Sequence, residues 1–270
     1  MCIRDRSNQQ QVNLIEYGAD EKEKGRVSFS NPNGNLLDAV VRDDGKVLTL
    51  DQYNNQILVR DATGKQTTAW AVPDKNARNF GFQGKGLELL PNGNVVAIHQ
   101  NGYTEFDKDG KVVTTYSRPE INKNQPKNDL YGAVRMKNGE TVLLIMVANQ
   151  NQGELVILDA KGKEVTDRKP VKVAAPYYRN TLLQSGDDKV MVYDQNNSRM
   201  QEYDLKTGKA EAAKGSNTGQ PMSIQRLPNG NLLTAEYSRL VERAPDGTEV
   251  WSMNNRDSSG NTQFVRAYVR

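Results

Sequence analysis

Leu227-Pro228-Asn229-Gly230-Asn231-Leu232-Leu233-Thr234-Ala235-Glu236, followed three residues on by Leu240-Val241-Glu242-Arg243-Ala244-Pro245-Asp246-Gly247-Thr248-Glu249-Val250-Trp251, decides the fold. It reads as a tight turn, a strand ending in an acid, a short loop, a second strand, another turn, and a third strand closed by an aromatic. Asn-Gly and Asp-Gly supply the positive φ that tight hairpins require, and apolar alternation flanks each turn. One such unit leaves an apolar face bare and two edges open, so it is not stable alone.

The rest of the chain repeats it. Turn residues Gly45, Gly93, Gly139, Asp188 and Gly230 open the second strand of each unit, at spacings of roughly 40–50 residues, the range of a four-stranded blade. A second series, Gly64, Gly110, Gly162, Gly208 and Gly247, marks the turn before the outermost strand. Two registered series over five repeats predict an all-β propeller. With strands lettered a to d outward, complete blades are expected over about 37–73, 86–119, 131–173, 180–214 and 222–254. The Asn/Lys/Gly/Pro-rich segments between them are connecting loops of one domain, residues 7–270.

Composition agrees. Hydrophobic residues are 36% of the chain, but 22 Gly bring the apolar class near the globular norm. Charged residues are 26% and the formal charge of +3 is spread along the chain, which excludes a nucleic-acid interface and a polybasic membrane surface. No apolar run is long enough for a transmembrane helix, so membrane insertion is not expected.

The ends read differently. Met1-Cys2-Ile3-Arg4-Asp5-Arg6 resembles a translated sequencing-adapter remnant and is set aside as a non-native or disordered tip. That removes Cys2, the sole cysteine, and with it disulfides, zinc–cysteine sites and thiol nucleophiles. Residues 25–30 read as a strand d without partners, and residues 263–270 as a strand a without partners. Together they predict half a blade, from a six-bladed parent whose last strands b and c lie outside this sequence.

Arg226 to Leu233 with Asp246 to Trp251 resembles blades of the PQQ-like propeller superfamily, especially its arylsulfotransferase-type branch. Asp61-Ala62-Thr63-Gly64-Lys65 with Trp70 is similar to that superfamily's tryptophan-docking repeat. Asp51-Gln52-Tyr53-Asn54-Asn55-Gln56 and Asp194-Gln195-Asn196-Asn197-Ser198-Arg199 resemble the NHL-type blade motif. The departures are equally plain. Tryptophan stands only at Trp70 and Trp251, where it is expected to cover seams between blades. No candidate PQQ pocket exists, and arylsulfotransferases use several histidines where this chain has His99 alone.

Aligned on their turns, strands b place Asp51, His99, Ile145, Asp194 and Glu236 in one register. Four polar ends on one loop face could bind a small polar ligand, a protein, or a cation such as calcium through carboxylate oxygens. The competing reading is that these side chains hold their own loops. Arg135 and Arg226, with Gln184 and Glu88, fall on strands a, where polar groups suggest a wet channel. Tyr178 and Arg179 follow Tyr177 in a d–a loop, an aromatic-plus-arginine composition suited to anchoring a partner. The expectation is a monomeric, non-enzymatic binding module of the periplasm or cell exterior, without an obligatory cofactor. The alternatives are an arylsulfotransferase-like or other propeller enzyme centred on His99, and an outer-membrane assembly scaffold.

Overall fold

In a computed structural model the described residues are 2–6, 11–17, 22–30, 38–51, 54–73, 86–99, 102–117, 130–147, 152–174, 181–217, 221–236, 239–254 and 262–267, and every regular element among them is a β-strand. In chain order the first three are β1 (Cys2–Arg6), β2 (Gln11–Tyr17) and β3 (Glu23–Ser30). The next sheet is β4 (Ala39–Val41), β5 (Val47–Asp51), β6 (Gln56–Arg60) and β7 (Gln66–Ala71). Then come β8 (Leu87–Leu89), β9 (Val95–His99), β10 (Gly102–Phe106) and β11 (Val112–Ser117). The following sheet is β12 (Leu130–Arg135), β13 (Thr141–Val147), β14 (Gln152–Leu158) and β15 (Val171–Ala174). After it stand β16 (Leu183–Gly186), β17 (Lys189–Asp194), β18 (Arg199–Asp204) and β19 (Ala210–Asn217). Last are β20 (Pro221–Arg226), β21 (Leu232–Glu236), β22 (Arg239–Arg243) and β23 (Glu249–Asn254), then β24 (Thr262–Ala267). Five four-stranded sheets thus stand where the turn series place blades.

The half blade is complete, against expectation. β24, β1, β2 and β3 form a sixth four-stranded sheet in that order. Cys2–Arg6, set aside as a tip, is its strand b: Asp5 pairs with Val12 on one side and with Gln263 on the other. The physical reason is that strands a and c each present an unpaired edge, and antiparallel backbone hydrogen bonding fills such an edge with little demand on side-chain identity. An irregular composition therefore hid a strand that topology requires.

The chain divides into two compact units, residues 1–71 with 214–270, and residues 72–213. Within the second, the seams between sheets are built by alternation. Val142 and Leu144 of β13 pack with Leu182, Val190, Val192 and Tyr203. Leu143 and Ile145 of the same strand pack the other way, with Val96, Ile98 and Tyr103. Successive side chains point to opposite faces, so a strand b covered on both faces is apolar along most of its length. β5 and β9 each bury all five residues, with Thr49, Asp51 and His99 as the polar exceptions. Within the first unit the sixth sheet has the same double role. Leu14 and Phe29 pack against Ala39, Val41 and Val47, while Ile15 joins Leu227, Leu233, Ala235 and Leu240. Trp251 packs against that last cluster half-buried, whereas Trp70 is buried.

Four of the described c–d turns follow one pattern, and that at Gly208 is one residue longer. Gly64 N–H donates to Asp61 O and Asp61 N–H to Lys65 O, with Gly64 at φ +86°. Gly110, Gly162 and Gly247 close the same ring. The pairing slips by one residue at the end of strand c, between Val59 and Arg60 and between Glu242 and Arg243. That is a type I turn followed by a left-handed glycine in a G1 bulge.

Candidate functional site

Each candidate residue of strand b is the last residue of β5, β9, β17 or β21. In the first unit, Asp51 is buried and committed to its own loop. Its Oδ1 accepts from Asn54 N–H at 3.3 Å, and its Oδ2 accepts from Asn54 Nδ2 at 2.8 Å and Gln56 Nε2 at 3.0 Å. Asn55, next along, takes a positive φ of 52°, a conformation asparagine tolerates better than most side chains. Glu236 is held differently. Its Oε2 accepts from Arg239 Nε at 2.8 Å and its Oε1 from Arg243 at 3.1 Å. Arg243, equally buried, also donates to Thr234 Oγ1 at 3.0 Å. The hydrogen bond to Glu236, first among several contributions, raises the Arg239 guanidinium above its ordinary range.

In the second unit, Asp194 repeats the Asp51 arrangement. Oδ1 accepts from Asn196 N–H at 3.0 Å and Asn197 N–H at 3.3 Å, and Oδ2 from Asn197 Nδ2 at 2.7 Å. Ser198 takes the left-handed position that Asn55 holds. His99 is fully enclosed at 0% exposure, its Nε2 lying 3.5 Å from Thr104 Oγ1. Ile145 is buried in the seam with β9 and β10.

On strands a, Arg135 is half-buried and turned to the neighbouring sheet, where it donates to Glu105 Oε2 at 2.7 Å. Asn94 Nδ2 donates to the other oxygen of that buried carboxylate at 2.7 Å. Beside this pair lies Tyr103, whose ring stacks with Tyr116 at 6.0 Å and whose phenol is pushed up by burial. Arg226 donates to Gly230 O at 3.4 Å and Gln184 to Gly186 O at 2.9 Å, so both bend over their own a–b turns. Tyr178 and Arg179 lie outside the described residues.

Alignment on strand b therefore passed over the groups that meet these residues. Glu105 and Glu242 share a register on strand c, and each accepts from an asparagine of the a–b turn. Arg60 and Arg243 share another, at the bulge, where Phe106 and Leu158 stand in other sheets. Aligning the ends of strand c would have shown two arginines in an otherwise apolar column.

Among the described residues no group of three or more His, Cys, Asp or Glu side chains has the arrangement of a metal site. The described residues include no helix long and apolar enough to cross a membrane.

No family model matches the sequence. No curated protein matches it either. Solved structures do. A protein of unknown function from Bacteroides caccae superposes with a TM-score of 0.65 at 14% identity, over 97% of this chain and 97% of that one. A chain of the nidogen/laminin complex gives 0.64 at 10% identity, over 98% and 96%. Virginiamycin B lyase from Staphylococcus aureus gives 0.61 at 14% identity, over 94% and 80%. At such identities the likeness establishes the β-propeller fold and no more.

Proposed function

We propose that this chain is a non-enzymatic propeller module that presents the loops following strands b and d to a small polar ligand or a protein, in the periplasm or outside the cell. The carrying observation is what the polar ends of strands b do. Asp51 and Asp194 spend their oxygens on backbone and amide donors of the next loop, and Glu236 spends its own on two arginines. A general base needs a lone pair within reach of a substrate proton. Carboxylates tied in this way fix loop shape instead, and a fixed loop on a rigid scaffold is how binding surfaces are made. One structural neighbour being a component of a protein complex, nidogen with laminin, supports the same reading.

The narrower resemblance to arylsulfotransferase-type propellers rests on blade residues that build turns and seams. An enzyme of that kind, or a lyase like the virginiamycin B neighbour, would here depend on His99, whose burial weighs against it. The test is a thermal-shift panel of oligosaccharides, amino acids, short peptides and calcium chloride. Binding raises the melting temperature with ligand concentration, and Arg179→Ala should abolish that rise while leaving the unliganded melting temperature in place. Turnover of any panel compound by the wild type but not by His99→Ala would overturn the non-enzymatic reading.

A further inference from the structure

Three described Asn–Gly turns open strands b: Asn92-Gly93, Asn138-Gly139 and Asn229-Gly230. All three share one backbone geometry. The glycine has a φ of +82° to +87°, and its N–H donates at 2.9 Å to a carbonyl three residues back. The asparagine Oδ1 accepts at 3.0 Å from the N–H two residues on in each case. They differ at the amide nitrogen. Asn138 Nδ2 donates to Glu140 Oε2 at 2.9 Å, a carboxylate itself held by Arg168. Asn229 Nδ2 donates to Glu242 Oε1 at 3.2 Å. The Asn92 amide nitrogen has no acceptor among the described residues, and Glu105, the counterpart of Glu242, accepts instead from Asn94 and Arg135. Space differs too. A Cβ on Gly139 would meet Ala160 at 3.5 Å and one on Gly230 would meet Pro245 at 3.9 Å, while one on Gly93 would meet nothing within 4 Å among the described residues.

We propose that Asn92 is a site of spontaneous deamidation, selected over the two sister turns by its untethered amide and open surroundings. Hydroxide removes the Gly93 N–H proton, and the nitrogen attacks Asn92 Cγ. A C–N bond forms, the amide C–N bond breaks, and ammonia leaves, giving a five-membered succinimide. Water opens the ring at either carbonyl, yielding aspartate or isoaspartate with one hydroxyl in place of one amino group. The isoaspartyl form lengthens the β8–β9 turn by a methylene and so loosens the hairpin that carries His99. The experiment ages the intact protein at mildly alkaline pH and body temperature, with a parallel sample in urea, and maps peptides by mass spectrometry. In the folded protein Asn92 should convert several-fold faster than Asn138 and Asn229, with the three rates closing together in urea. Glu140→Ala should bring Asn138 up towards the Asn92 rate. Folded-state conversion of Asn138 or Asn229 as fast as that of Asn92, or no response of Asn138 to Glu140→Ala, overturns the proposal.

Discussion

The guanidinium of Arg60 lies 4.5 Å above the ring of Phe29, joining strand c of one sheet to strand d of the sixth sheet. Its two terminal nitrogens donate to Gly64 O and Ser30 O, both at 3.3 Å. Burial lowers its pKa, yet it remains a cation at any ordinary pH. The contact replaces an apolar residue at a position where Phe106 and Leu158 serve elsewhere. Arg60→Met keeps volume and stem but loses the cation–π contact and two hydrogen bonds, so it should destabilise the protein by about 2 kcal/mol. Chemical denaturation measures this directly, and unchanged stability would show that the guanidinium contributes nothing.

Gly64 shows why that seam tolerates no side chain. A Cβ there would sit 3.0 Å from Val27 Cγ1 and 3.2 Å from Ser28 O, whereas at Gly208 nothing lies within 4 Å. Both glycines have positive φ, 86° and 71°, so an alanine at either is strained by roughly 1–2 kcal/mol. Only Gly64→Ala adds a clash with backbone. It should therefore be the more destabilising of the two by at least about 1 kcal/mol. Equal melting temperatures for the two variants would contradict the close approach.

Much of this was legible beforehand because glycine spacing and apolar runs are local signals. The two turn series located five sheets, since a G1 bulge demands a left-handed residue at a fixed offset. The sixth sheet was legible only at its strands a and d. Its strand b, Cys2–Arg6, is specified by edges contributed from residues 11–17 and 262–267, a non-local fact. The site was legible only in part. Asp51 and Asp194 could be read as loop caps from the asparagine three residues on, but nothing local announces that Glu236 answers to Arg243 seven residues later.

That pair gives a sharper test. Glu236 and Arg243 side chains are each 7% exposed and 3.1 Å apart. Removing one partner leaves an uncompensated buried charge, so Glu236→Gln should destabilise by about 3–5 kcal/mol. The double variant Glu236→Gln with Arg243→Met should fall well short of the sum of its singles. A double-mutant cycle measures the coupling, and strict additivity would rule it out.

The pH dependence follows from buried phenols and exposed aspartates. Burial raises the pKa of Tyr103 and Tyr203 above the ordinary value of about 10. The folded state then holds those protons more tightly than the unfolded chain, so their stabilisation is intact below about pH 10 and is lost as pH rises through the folded values. At the acid end, the backbone N–H of Lys111, Lys163 and Thr207 lowers Asp107, Asp159 and Asp204. A depressed carboxylate stabilises above its unfolded pKa of about 3.9 and loses that contribution as pH falls through the lower folded value. Stability measured against pH should therefore fall at both ends, and Tyr103→Phe with Tyr203→Phe should flatten the alkaline limb alone.

The strand-end aspartates finally separate a loop cap from a ligand site. Removing charge while keeping shape, as in Asp51→Asn, looks conservative but is not. Oδ2 of Asp51 accepts from two side-chain amides, Asn54 Nδ2 and Gln56 Nε2. An asparagine there either points its own N–H₂ at those donors or gives up the acceptor for Asn54 N–H. The carboxylate position is buried but Asn54 and Asn197 are exposed, so water softens the mismatch and its cost falls at the low end of about 1–3 kcal/mol. Asp194→Asn faces the same conflict with Asn197 Nδ2. Each variant should lower the melting temperature, and adding Asn54→Ala to Asp51→Asn should recover part of the loss by removing the opposed donor. If Asp51→Asn instead melts like the wild type, the carboxylate does not hold the loop and its charge is free to serve a ligand.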